Sequence, residues 1–140
     1  MKMENQSNKI VSTPLSKSLV EDLRLIIEQA RGRVAATVNS ELTMMYWHIG
    51  ERINRDVLGN QRAEYGKRIV ATVSRQLQAE YGAKGFEERT IRRMMQFAEI
   101  FPDIRILTPL VTKLSWFYFV EVSPIKDEIK REFYLTAAVS

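Results

Sequence analysis

An all-α fold is what the sequence predicts, and three observations predict it. Apolar residues recur in steps of three or four from Leu19 to Val57. Two more helical periods, about Ala63 to Glu80 and Glu87 to Ile100, are joined by a turn containing two glycines. A last repeat places Ile125, Ile129, Phe133 and Ala137 four residues apart. The chain has 140 residues, 45% of them hydrophobic, which is one domain's worth. A chain of this order buries a little over two-thirds of its unfolded surface, so it needs neither disulfide nor metal to hold a core.

Residues 1 to 14 (MKMENQSNKIVSTP) are polar, aperiodic and closed by a proline, and are expected to form a disordered arm ahead of a helical domain over 15–140. The first period then runs through Leu19, Leu23, Ile26, Ala30, Val34, Val38, Leu42, Met45, Ile49, Ile53 and Val57. A straight helix of that span would be roughly 57 Å long, against a radius of gyration of about 14 Å for a compact domain of this size. It therefore bends at Gly32 or projects towards a partner, and a homodimer packed through this long N-terminal helix is the expectation.

The second helix carries Tyr65, Ile69, Val70, Val73 and Leu77 on one side, and Gly59 suits the stop before it. Tyr81 to Phe86 (YGAKGF) reads as a turn, and Phe101-Pro102 closes the third helix. Two helices around a short glycine turn make a helix-turn-helix-like unit over about 63–101. Asp103 to Lys113 reads as a loop, with room for a short strand. Leu114 to Val122 is aromatic and β-branched, so propensity alone makes it a strand. Ser123-Pro124 suits the opening of the final helix. That helix runs to the last residues without a cap, as expected of a piece of a longer protein or of a reading frame that lost its remainder.

Composition removes many functions. There is no cysteine and a single histidine, His48. Thiol catalysis, disulfide scaffolds and thiolate zinc sites are excluded, and no histidine pair exists for a metal. His48 reads as a packed or capped residue. No cofactor or metal is expected. No run of about 18 apolar residues occurs and the N-terminus lacks a signal-peptide layout, so a cytoplasmic protein without membrane contact is expected. The net charge is +4 and the pI about 9.5. Residues 61–100 hold 8 basic against 5 acidic groups, whereas 1–60 hold 8 and 7 and 101–140 hold 5 and 5.

The basic excess coincides with two opposed stripes on the third helix. Ile91, Met94, Met95 and Ala98 fall at i, i+3, i+4 and i+7 and define a core face. Arg89, Arg92, Arg93 and Gln96 repeat the spacing about 200° around the helix. The planar fork of Arg matches guanine O6/N7 or a phosphate, and Gln matches adenine N6/N7. Glu88 stands four residues before Arg92, but Arg89 and Arg93 face only each other, which a purely structural helix avoids. On the second helix of a helix-turn-helix this stripe would lie in the major groove. Lys67, Arg68, Arg75 and Lys84 are the expected phosphate contacts.

One nuclease-like pattern is present. Pro102-Asp103 with Glu128-Ile129-Lys130 has the residue types of a metal-dependent nuclease, in which the two carboxylates sit on adjacent strands and hold Mg²⁺. Glu128 and Lys130 lie instead in a helical period where their side chains diverge, so no catalytic or metal site is expected.

Several segments in order resemble the N-terminal domain of the YhcG family: Leu42 to Gly50 (LTMMYWHIG), Ala63 to Arg68 (AEYGKR), Leu77 to Phe86 (LQAEYGAKGF), Ile91 to Phe97 (IRRMMQF), Leu114 to Trp116 and Arg131 to Tyr134. The resemblance covers about 19–140. It implies a bacterial helical DNA-binding or targeting module that precedes a PD-(D/E)XK nuclease domain, and it implies that Leu114 to Val122 is a buried helix. Glu87 stands where the family commonly has Ser, so a capping bond at the third helix is lost. Phe117-Tyr118-Phe119 replaces a Ser-His-Tyr. The tryptophan-containing helix that usually follows is missing, which leaves apolar surface to be covered by a partner.

The function expected is a non-catalytic module for double-stranded DNA. The alternative is a protein-interaction or dimerisation module, with the downstream nuclease domain or another protein as partner.

Overall fold

The computed structural model describes residues 17–32, 38–60 and 63–139. Seven helices lie among them: α1 (Lys17–Gly32), α2 (Val38–Asn60), α3 (Ala63–Tyr81), α4 (Glu88–Ile100), α5 (Ile104–Val111), α6 (Trp116–Val122) and α7 (Glu128–Val139). No strand occurs among the described residues, so the all-α expectation holds. The arm over 1–14 lies outside them.

Helix α2 is the axis of the fold. It packs most extensively on α4 and α1 and also touches α3, α5 and α6. One core gathers Leu19, Leu23 and Ile27 of α1, Ile49 and Ile53 of α2, Ile69, Val70, Val73 and Leu77 of α3, and Ile91 and Met94 of α4. A second gathers Trp47, Phe97, Phe101, Leu107, Val111, Phe119 and Leu135. Trp116 packs against both, its ring 4.7 Å from Tyr46 and 5.2 Å from Phe97. Helices α2 and α4 thus each feed two cores from different faces.

The long N-terminal helix is divided. The period from Leu19 to Val57 belongs to α1 and α2, whose apolar faces meet each other inside one domain. Leu19, Leu23, Ile49 and Ile53 are buried there, so the length argument for a projecting, dimerising helix falls away. The pair is pinned by Arg52, whose Nε donates to Asp22 at 2.6 Å and whose Nη2 donates to Ser18 at 3.2 Å. Asp56 stands 3.7 Å from the same guanidinium and accepts from the Tyr65 hydroxyl. A buried guanidinium without such partners would be costly. Burial and then the Asp56 bond push the Tyr65 phenol up to about 12, which keeps it a donor.

Three further expectations are corrected or decided. Residues 104–111 are helix rather than loop or strand. Asp103 caps α5 by accepting from the Arg105 N–H at 2.9 Å, and Leu107 and Val111 are buried one turn apart. Pro109 sits inside the helix and removes only one backbone donor. Leu114 to Val122 yields helix α6, as the family resemblance implied and against strand propensity. Helix α7 opens at Glu128 rather than at Ser123-Pro124, because the Asp127 carboxylate accepts from the N–H groups of Ile129 and Lys130. Its four-residue apolar repeat faces outward at Ile129, 82% exposed, and Phe133, 67% exposed, and Leu135 is the buried residue.

Candidate nucleic-acid interface

Helix α4 follows a turn that glycine makes possible. Gly82 and Gly85 adopt φ of +94° and +92°, conformations that side chains with a Cβ disfavour. The turn is tied to α3 by Ser74 Oγ, which donates to the Phe86 carbonyl at 2.7 Å. Glu87 takes the N-cap position without a capping bond to the helix, matching the loss expected from its replacing Ser. Its carboxylate accepts instead from the Gly85 N–H at 3.0 Å and the Thr90 hydroxyl at 3.4 Å. Its own backbone N–H foremost, with these two donors, holds its carboxyl below the usual range.

The seat of α4 on α2 is close. A Cβ added at Gly50 would lie 2.0 Å from the Met94 carbonyl oxygen, so the two helix backbones approach as only glycine permits. Asn54 Nδ2 donates to the Met95 carbonyl at 2.8 Å, and Trp47 Nε1 donates to the Phe101 carbonyl at 2.7 Å. These bonds fix the helix along its length and about its axis. Ile91, Met94 and Ala98 are buried as the apolar stripe requires. Phe97 is also fully buried, in the second core, and the single-stripe reading missed it.

The opposite face is basic. Arg89, Arg92 and Gln96 are exposed and Arg93 is half-buried. All four line one shallow concavity together with Met95, which the sequence reading had assigned to the core. Arg92 pairs with Glu88 at 3.6 Å. Neither Arg89 nor Arg93 has a carboxylate within ion-pair distance among the described residues. Lys67, Arg68, Arg75 and Lys84 are exposed, but none of them lines this concavity. Arg68 pairs with Glu64 at 3.4 Å, and Lys84 borders a different hollow.

The nuclease-like residues are placed by helices. Asp103 caps α5 and also accepts from the Arg105 guanidinium at 3.1 Å. Glu128 opens α7, 4.0 Å from Arg131. Among the described residues no group of three His, Cys, Asp or Glu side chains is close enough to hold a metal ion. His48 is half-buried, with its ring edge-on to Trp47. No helix among the described residues is long and apolar enough to cross a membrane.

Comparison with known proteins bears on this arrangement. The family model described as DUF1016 N-terminal domain matches residues 22–140. Over 93 residues the chain is 31% identical to a protein of Escherichia coli (strain K12) named "Putative nuclease YhcG". That alignment covers 61% of this chain and 24% of the relative, so the chain spans about a quarter of the curated protein it matches. No solved structure matches it.

Proposed function

Since the chain belongs to the family of DUF1016 N-terminal domains, we propose that it is a non-catalytic targeting module for double-stranded DNA in a nuclease-associated bacterial protein of the cytoplasm. Helix α4 enters the major groove with Arg89, Arg92, Arg93 and Gln96, and Lys67, Arg68, Arg75 and Lys84 meet flanking phosphates. The observation that carries this reading is the pair Arg89 and Arg93, which share one concavity with Arg92 and Gln96 and lack acidic partners among the described residues. Like charges one turn apart destabilise a helix by a few tenths of a kcal/mol, and an anionic partner relieves that cost.

A salt titration against random duplex DNA tests it. Each arginine on a phosphate releases counterions, so log affinity falls with log salt by roughly 0.9 per contact. Replacing Arg92 and Arg93 by Ala is expected to weaken binding and flatten the slope while the protein stays folded. An arginine that reads a base costs about 1–3 kcal/mol and relaxes sequence preference when removed. Unchanged affinity and slope in a folded double variant would sink the reading.

The absence of catalysis is tested separately. Supercoiled plasmid is expected to stay intact with the chain in Mg²⁺ or Mn²⁺. Cleavage that disappears in Glu128→Ala would instead make the chain an enzyme.

One observation favours a second reading, an interaction or dimerisation module. Ile129, Phe117 and Phe133 are 82%, 72% and 67% exposed, apolar side chains that suit a protein partner, a downstream nuclease domain or another copy. A homodimer on this reading uses such outward surfaces, because Ile49 is already buried within one chain.

A further inference from the structure

A second hollow lies away from the arginine face, where α1, α2 and the turn before α4 converge. It encloses about 250 Å³. Its apolar wall is made by Ile27, Met45 and Phe86, each at most 8% exposed. Tyr46 also lines it, only 9% exposed, with its hydroxyl near Gly85. That hydroxyl has no hydrogen-bond partner among the described residues. No fully enclosed side-chain oxygen or nitrogen there lacks a partner, so the Tyr46 hydroxyl opens into the hollow. A phenol open to an apolar hollow can exchange its water for a ligand's polar atom.

The mouth is basic. Arg31 and Lys84 both border it, and neither has a carboxylate partner among the described residues. The Arg31 guanidinium sits 4.8 Å from the centre of the Tyr81 ring, a stacking contact that holds its charge at the entrance. Tyr81 itself is engaged, donating to Glu28 at 3.0 Å. Among the described residues Glu41 is the one acidic residue on the lining, against two cations. An apolar floor, one inward polar group and a cationic mouth form the usual plan of a small-ligand site.

We propose that this hollow binds a small aromatic carboxylate: the ring lies between Met45 and Phe86, a polar ring substituent meets the Tyr46 hydroxyl, and the carboxylate meets Arg31 and Lys84. The volume fits one ring and its substituents. Burial pushes the Tyr46 phenol up, so it stays protonated and available as a donor at neutral pH. The site shares Lys84 with the proposed phosphate contacts, and its other lining residues take no part in them.

The test is a titration of the whole chain, with ¹³C-labelled methionine methyl groups, against 4-hydroxybenzoate and its neutral counterpart 4-hydroxybenzamide. The expected result is a saturable shift of the Met45 methyl with a Kd below about 1 mM, within the reach of a ten-atom ligand. The amide should bind at least tenfold more weakly. Arg31→Ala with Lys84→Ala should weaken the carboxylate at least tenfold and leave the amide unchanged, and Tyr46→Phe should weaken both by a few fold. All three side chains are replaced without opening the core, and an unchanged melting temperature checks that. A shift that fails to saturate, equal binding of acid and amide, or binding indifferent to the Arg31/Lys84 replacement each overturns the proposal.

Discussion

Gly50→Ala is expected to destabilise the fold by about 3 kcal/mol or more, at the upper end of what overpacking costs. In an exposed helix the same change would stabilise by roughly 0.5–1 kcal/mol, because alanine is the better helix former. Here the added methyl meets the Met94 carbonyl oxygen at 2.0 Å and the Met95 nitrogen at 2.9 Å. Both are backbone atoms and have no rotamer to escape into, so α4 must lift from α2. Lifting it also strains the bonds from Asn54 to the Met95 carbonyl and from Trp47 to the Phe101 carbonyl. Urea unfolding followed by circular dichroism measures the loss. A variant as stable as the parent would mean that the two helices do not cross at this distance.

Met94→Asp is expected to abolish folding. The side chain is fully buried in the core that also holds Ile49, Ile53, Ile69 and Ile91. An isolated carboxylate there costs several kcal/mol even when it responds by taking up a proton. A domain of this size has about 5–15 kcal/mol of stability in total, and the lost methionine packing adds to the deficit. Met94→Leu conserves volume and should cost under about 1.5 kcal/mol. Far-UV circular dichroism separates the outcomes, and a helical, cooperatively melting Met94→Asp protein would refute the assignment of this face to the core. The contrast with Arg92→Ala and Arg93→Ala, two residues and one residue away and expected to leave the fold intact, is the sharpest check on how α4 is oriented.

What the sequence made legible follows the physical reach of periodicity. Helix α4 was readable because its apolar and basic stripes are each complete within one short helix. The bounds of α3 came out within a residue, since Gly82 and Gly85 punctuate its end. Periodicity has no means of announcing a change of direction, however, so α1 and α2 read as one helix: the four-residue step carries through from Ala30 to Val38. Helix α5 was obscured by Pro109, which argues for a break although a helix of eight residues loses only one bond to it. In α7 the four-residue repeat runs through Ile129 and Phe133 and passes over Leu135. Which stripe is buried depends on what α5 and α6 place beside it. Gly50 carried no signal, because its meaning is a contact with a helix some forty residues later. The four residues of the candidate interface were legible by spacing, whereas the half-burial of Met95 beneath them depends on how closely α2 approaches.

The central position of α2 also has a consequence during synthesis. Its partners on the second core are made after it: Trp47 bonds to Phe101, and Ser40 donates to the Val111 carbonyl at 3.0 Å across 71 residues of sequence. At ribosomal rates of about 5–20 residues per second, the forty residues between the ends of α2 and α4 take roughly 2–8 s. During that interval α1 is already available to cover Ile49 and Ile53, but Trp47 and the face around it have nothing to pack against. The nascent chain therefore spends seconds with this side of α2 open to water, and that side is where a chaperone would engage it.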